Sequence, residues 1–282
     1  MQPTQDVKTI GLILPNTSNY FCHTLVDCYS QLFAKKGYQL ITAVTNHDLK
    51  KEYEYISYFS SFVDGFLIIS DAACFAEIAD AFSSVPAVFI NRKPKDCPYT
   101  AVMENDYTAV FQAILSLTHD VSDKIACICT KPDLSTTLED VSAYQAAMNL
   151  SSAGFHEEWV HYVNADSYNV SEIVQNMTEK GCHAFFTCTQ SLTEQFMDYI
   201  FTYNLKAKEP LILAGFSNSM NQNSLQKSID MVTQPIDQLV DLSVQLLLYH
   251  MSHPDAEAKD YLIKGTLRKR ALDRLRIGTT EN

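Results

Sequence analysis

Glycine is scarce, eight in 282 residues, and none of it falls into GxGxxG, GxSxG or a GxxxxGK loop followed by Ser or Thr. The phosphate-cradling turns and the nucleophile elbow that such glycines permit are therefore missing. Gly215-Phe216-Ser217-Asn218-Ser219 lacks an elbow's flanking glycines, and HExxH is absent as well. With no spacing that sets a nucleophile beside its base, an enzyme is not expected. No apolar stretch reaches the roughly 18 to 20 residues that a membrane helix needs. The opening MQPTQDVKTIG also has no basic-then-apolar leader. These absences imply a cytoplasmic chain with no membrane partner.

Cysteine is present, but without metal spacing. Cys22, Cys28, Cys74, Cys97, Cys127, Cys129, Cys182 and Cys188 contain no CxxC pair, and they read as reduced, mostly buried thiols rather than a disulfide framework. Cys127 and Cys129 would share one strand face, and Cys182 is followed by His183. Neither arrangement has the ligand spacing of a zinc site, so no metal and no cofactor is expected. Positive charge is also short. Lys and Arg number 21 against 33 Asp and Glu, a formal charge of −12, which argues against a grip on nucleic acid by this chain itself. The basic cluster Arg268, Lys269, Arg270, Arg274 and Arg276 reads as a final strand with a solvated tail in preference to a nucleic-acid arm.

What the chain does have is apolar substance, 46 % hydrophobic residues over a length that suits two lobes better than one. Its elements alternate. Ile10 to Leu14 reads as a doubly covered strand that ends at Pro15 and a polar loop. Phe21, Leu25, Cys28, Leu32 and Phe33 then recur at helical spacing before Lys35-Lys36-Gly37 closes the helix. Further strands are read at 39–44, 66–69, 87–90 and 100–103, with helices at 50–62, 74–82 and 107–118. The pattern then restarts, with strands at 124–129, 160–163, 184–188 and 211–216 and helices near 142–150, 170–180 and 193–203. Strands alternating with helices imply right-handed crossovers and mostly parallel sheets. The expected fold class is α/β, with two doubly wound parallel-sheet lobes.

An ordered set of motifs resembles one family. Lys8-Thr9-Ile10-Gly11-Leu12-Ile13-Leu14-Pro15 with Ser18-Asn19-Tyr20-Phe21, then Val63-Asp64-Gly65-Phe66-Leu67-Ile68, is similar to the effector-binding domain of lactose-repressor/galactose-repressor (LacI/GalR) type transcription regulators. The same holds for Val85-Pro86-Ala87-Val88-Phe89-Ile90-Asn91-Arg92, Leu213-Ala214-Gly215-Phe216, Thr233-Gln234-Pro235 and Leu267-Arg268-Lys269-Arg270. The resemblance implies a type I periplasmic-binding-protein-like fold with three hinge crossings. One lobe would span 8–120 plus 235–252, the other 121–234 plus 260–275. It implies a homodimer and a sugar-like small-molecule effector held between lobes, with ligand-linked lobe closure as the signal. Operator DNA would be met only through a helix-turn-helix headpiece of the kind that precedes this domain in the family and is absent here. The alternative with the same architecture is a solute-binding protein of a sugar transporter.

The ligand-binding residues expected on strand ends and crossings are Asn19, Phe21, Ser70, Asp71, Asn91, Arg92, Asp140, Gln190, Ser217 and Gln234. Phe21 would stack on a sugar ring or else belong to the core. Thr137, Asp140, Ala143 and Tyr144 match the family's Ser-x-x-Arg-x-x-Gly-Tyr, so a carboxylate replaces the arginine. A bidentate arginine is the strongest handle for phosphate, and its loss favours a neutral or partly cationic ligand. Asp140 as an ordinary solvated helix residue is the plainer reading.

Overall fold

The computed structural model describes residues 7–17, 20–120, 124–130, 132, 134–164, 167–205, 209–218 and 229–270. They divide into two compact units. The first comprises the described residues of Met1–Asn105, Leu134–Thr136 and Pro235–Ile263, the second those of Asp106–Asp133, Thr137–Gln234 and Lys264–Asn282.

The first unit is a six-stranded sheet. β1 (Thr9–Leu14), β2 (Gln39–Val44), β3 (Gly65–Ile68), β4 (Ala87–Ile90) and β5 (Thr100–Asn105) run in parallel, and β11 (Asp260–Lys264) lies beside β5. The order is β11-β5-β4-β3-β1-β2, so the winding reverses at the β3/β1 pair. Strand alternation sorts the side chains onto two faces. Ile10, Leu12 and Leu14 pack with α1 (Tyr20–Lys35) and α7 (Ile236–Ser252), while Ile13, Phe66 and Phe89 face the side of α2 (Leu49–Phe59). α1 stops where expected, because Gly37 takes φ +80° and Tyr38 N–H reaches back to the Phe33 carbonyl at 3.0 Å. The buried Tyr29 hydroxyl meets Ser243 Oγ at 2.7 Å and ties α1 to α7.

The second unit repeats the plan. β6 (Ile125–Cys129), β7 (Val160–Tyr162), β8 (Ala184–Thr187), β9 (Ile212–Phe216) and β10 (Asp230–Thr233) are parallel, and β12 (Thr266–Arg268) is antiparallel to β10. The order β12-β10-β9-β8-β6-β7 reverses at β8/β6. Ile125, Cys127 and Cys129 face α3 (Tyr107–Asp120) and α4 (Ser135–Leu150), whereas Ala126 and Ile128 face α5 (Val170–Glu179) and α6 (Gln190–Asn204).

Three expectations need correction. The helix read at 74–82 is a pair of 3-10 turns, Phe75–Glu77 and Ala79–Ala81, because the Glu77 carboxylate folds back onto the Ala73 and Cys74 amides and closes a single turn. α3, assigned by sequence to the first lobe, packs on β9, β10 and β12 of the second sheet through Ala109, Val110, Ala113 and Ile114. Asp260–Ile263, assigned to the second lobe, extends the first sheet at β5. α4 and α6 also begin earlier than read, at Ser135 and Gln190, because polar residues fill their first turns. Trp159 is a core residue of the second unit, 6 % exposed, with the Lys124 ammonium 5.7 Å from its ring.

Gly215 shows how tightly the second sheet is closed. A Cβ there would lie 2.2 Å from Thr187 Oγ1, 2.4 Å from Thr193 Oγ1 and 3.0 Å from the Thr187 carbonyl. The two hydroxyls are themselves bonded at 2.8 Å and fully buried. Gly215→Ala is therefore expected to lower unfolding free energy by roughly 1–3 kcal/mol, the usual cost of overpacking. Urea denaturation checks it, and an unchanged midpoint would show that the threonine pair yields freely.

Candidate functional site

Each unit gathers polar side chains at the C-terminal ends of its strands, around the place where the strand order reverses. Open α/β sheets bind ligands at such points.

In the first unit the centre is Asp71, just past β3. Arg92, just past β4, donates from Nη1 to Asp71 Oδ1 at 2.7 Å, and His47, past β2, meets Asp71 Oδ2 at 2.9 Å. The Asn16 amide contacts the other nitrogen of His47 at 3.2 Å. Both members of the Asp71–Arg92 pair are largely buried, so the pair fixes two loops as well as balancing charge. Ser70 donates to Glu52 of α2, and the Asp71 amide donates to the other Glu52 oxygen at 2.9 Å. Burial outweighs those two bonds and pushes the Glu52 carboxyl up. Asn46, His47 and Asn91 all take positive φ, the left-handed conformation that Asn tolerates best among such residues. Asn91 Oδ1 is buried without a hydrogen-bond partner among the described residues, an acceptor that a bound hydroxyl or ammonium would satisfy.

In the second unit the amides form a chain. Gln190 Oε1 accepts from the Asn218 amide at 3.2 Å, Asn218 and Gln234 exchange bonds at 2.7 and 2.8 Å, and Gln234 Nε2 donates to Asp106 Oδ2 at 3.1 Å. Asp106 Oδ1 has no hydrogen-bond partner among the described residues, and it fills the space that a Cβ at position 265 would need, 1.9 Å away, which is why glycine stands there. Burial pushes Asp106 up to about 7, with Glu139 adding repulsion and the Gln234 bond opposing it. Asp140 is no solvated helix residue. It is 5 % exposed and held well above the carboxylate range by burial and then by Asp106, Cys129 and Glu139.

The expected residues thus divide. Ser70, Asp71, Asn91 and Arg92 meet in the first unit, and Asp140, Gln190, Ser217 and Gln234 stand at the strand ends of the second. Phe21 lies in the hydrophobic cluster under α1, 8 % exposed, so packing accounts for it. Asn19 lies outside the described residues. The sequence reading missed His47 and Glu52 as partners of Asp71 and Ser70. It also missed the meeting of Cys188 with Cys127 and Cys129. Among these thiols, the contacts with Cys127 and Cys188 lower Cys129, whereas the same contact with Cys129 raises Cys127 and burial raises Cys188.

Residues 7–191 match the family described as periplasmic binding proteins and sugar binding domain of LacI family. An HTH-type transcriptional repressor named PurR from Vibrio campbellii is 20 % identical over 273 residues, 93 % of this chain and 82 % of its own length. A sucrose operon repressor from Klebsiella pneumoniae is 24 % identical over 85 % of this chain and 74 % of its own. The crystal structure of the regulator CcpA of Lactococcus lactis superposes with a TM-score of 0.80 at 19 % identity, covering 94 % of this chain and 98 % of that one. The Cra regulator of Pseudomonas putida in complex with fructose 1-phosphate gives the same score at 19 % identity, over 93 % and 98 %. These likenesses agree with the two-sheet fold.

Asp106 yields a signed pH dependence. Its folded value of about 7 stands above the ordinary 3.8, so the folded state keeps a proton that the unfolded chain has lost. Its contribution is fully present below about pH 4 and is lost as pH rises towards 7. Asp106→Asn is expected to flatten the fall in unfolding free energy between pH 4 and 7, measured by denaturation at several pH values. An unchanged slope would contradict the assignment.

Proposed function

This chain belongs to the family of periplasmic binding proteins and LacI sugar-binding domains, and we propose that it senses a small polar effector for a transcriptional repressor, with sugars or sugar derivatives as the first class. The regulator reading is supported by relatives named as repressors along most of this chain. DNA contact belongs to a headpiece of the family's kind, and the sensor works as a homodimer. Candidate polar contacts for the effector are Asp71, Asn91 and Arg92 in the first unit, and Asp140, Gln190, Ser217 and Gln234 in the second.

The observation that carries the ligand class is the buried acidity of the second unit. Asp106 and Glu139 stand close enough to raise the proton affinity of Asp140, and Glu139 raises that of Asp106. A phosphate placed beside them would find no guanidinium, since Asp140 stands in its place, and would be repelled by any of these acids that lost its proton. A neutral polyol or an amine-bearing sugar would instead donate to those carboxylates. In a thermal-shift and calorimetric panel, neutral or amino sugars are expected to raise the melting temperature. Gln234→Ala should weaken the bound compound by about tenfold, since loss of a buried hydrogen bond costs on the order of 1–2 kcal/mol. A panel in which only phosphorylated or acidic compounds bind would overturn the reading.

The signal is linkage. A ligand that engages residues of both units favours the arrangement that offers both sets at once, by its differential affinity for that arrangement. Small-angle scattering with and without a bound compound is expected to show a reduced radius of gyration on binding. Superimposable profiles at saturation would remove closure from the mechanism.

A further inference from the structure

Three thiols from two strands converge at the point where the second sheet reverses its winding. Cys127 and Cys129 stand on one face of β6. Because Ile128 pairs with Thr187 in parallel register, the next residues, Cys129 and Cys188, come side by side. Their sulfurs are 3.0 Å apart, with 3.5 Å from Cys127 to Cys129 and 3.7 Å from Cys127 to Cys188. A buried carboxylate, Asp140 of α4, lies beside Cys129 and Cys188.

Small apolar packing explains cysteine in a core, but it does not explain Asp140. The carboxylate is 5 % exposed and lies beside the thiols. A buried acid among acids and thiols carries a desolvation cost that a cation would offset. We propose that Cys127, Cys129 and Cys188, with the buried Asp140 beside them, form a binding site for one thiophilic divalent d10 cation of the zinc type. The geometry is close to what such an ion needs. Zn–S bonds of about 2.3 Å in a tetrahedron set sulfurs about 3.8 Å apart, so each thiol has to move outward by less than an ångström. The three sulfurs supply three ligands of a tetrahedral ion, a water fills the fourth position, and binding displaces the thiol protons into solvent. The site shares Asp140 with the proposed effector contacts, but its thiols are ones that no sugar would need, so a cobalt–thiolate spectrum reads it separately from effector binding.

The test is a titration of the full chain, reduced, stripped by chelator and kept free of oxygen, first with Co²⁺ and then with Zn²⁺. Expected are one equivalent bound, near-ultraviolet thiolate-to-cobalt charge transfer, proton release, and loss of the bands as Zn²⁺ displaces the probe. Cys129→Ser and Cys188→Ser should each weaken Zn²⁺ by about hundredfold or more, and Asp140→Asn by about tenfold, the range that even outer ligands of metal sites span. Cys28→Ser should bind as the unsubstituted chain does. Since substitutions in a packed core can unfold the chain, peptide mapping of alkylated, unsubstituted protein serves as a second arm. Zn²⁺ should protect Cys127, Cys129 and Cys188 and leave the alkylation of Cys28 and Cys74 unchanged. Absence of charge transfer, protection of other cysteines instead, or a Cys129–Cys188 disulfide in the protein as isolated would overturn the site.

Discussion

Parallel pairing in register is the constraint from which the rest follows. In each sheet the chain winds outward in both directions from one central pair, β1/β3 in the first unit and β6/β8 in the second. Every parallel strand then ends on the same edge, and whatever residue follows it is delivered there. Asp71 and Arg92 meet because they follow neighbouring strands, and so do Cys129 and Cys188. The apolar interior of the strands is ordinary for doubly covered sheets. The chemistry sits in the first residues beyond them, where backbone groups have left the ladder and side chains must satisfy one another.

The two edges differ in electrostatic character. The first unit balances its acid with a guanidinium and an imidazole, so Asp71 stays paired within a network of four side chains. The second places Asp106, Asp140 and Glu139 near thiols and amides, with proton affinity rising as the outcome. A carboxylate that keeps a proton can donate as well as accept, which gives the second edge a wider choice of partners than an ionised one would have. The amide chain Gln190–Asn218–Gln234 holds Asp106 in position from one side, and the bare backbone of Gly265 admits it from the other.

Most of the architecture was legible in the residues, because strands covered on both faces leave short unbroken apolar runs such as Ile10–Leu14 and Ala184–Thr187, and the helices between them repeat at 3.6. Polar residues that end those runs, Ser70-Asp71 and Asn91-Arg92, could be placed for the same reason. What could not be read was pairing across the chain. Nothing local distinguishes His47 from any loop histidine, and Cys188 shows no spacing relation to Cys127 and Cys129, since 58 residues that include α4, β7, α5 and β8 separate β6's last cysteine from it. Phe21 illustrates the opposite error, since an aromatic at a loop-to-helix junction looks alike whether it faces a ligand or a core. The ownership of α3 and β11 was likewise hidden, as each lies at a crossing where sequence continuity and spatial partnership part company.

The return of α7 to the first unit bears on how the chain is made. Leu239, Val240, Val244 and Leu247 close the same face as Ile10, Leu12 and Val88, yet they are synthesised more than a hundred residues after β4. During elongation that face has α1 on it but lacks its second cover, so apolar surface stays open to solvent and to other nascent chains throughout translation of the second sheet. Any truncation upstream of Ile236 would freeze that condition, leaving a sticky half-clad sheet in place of a soluble fragment.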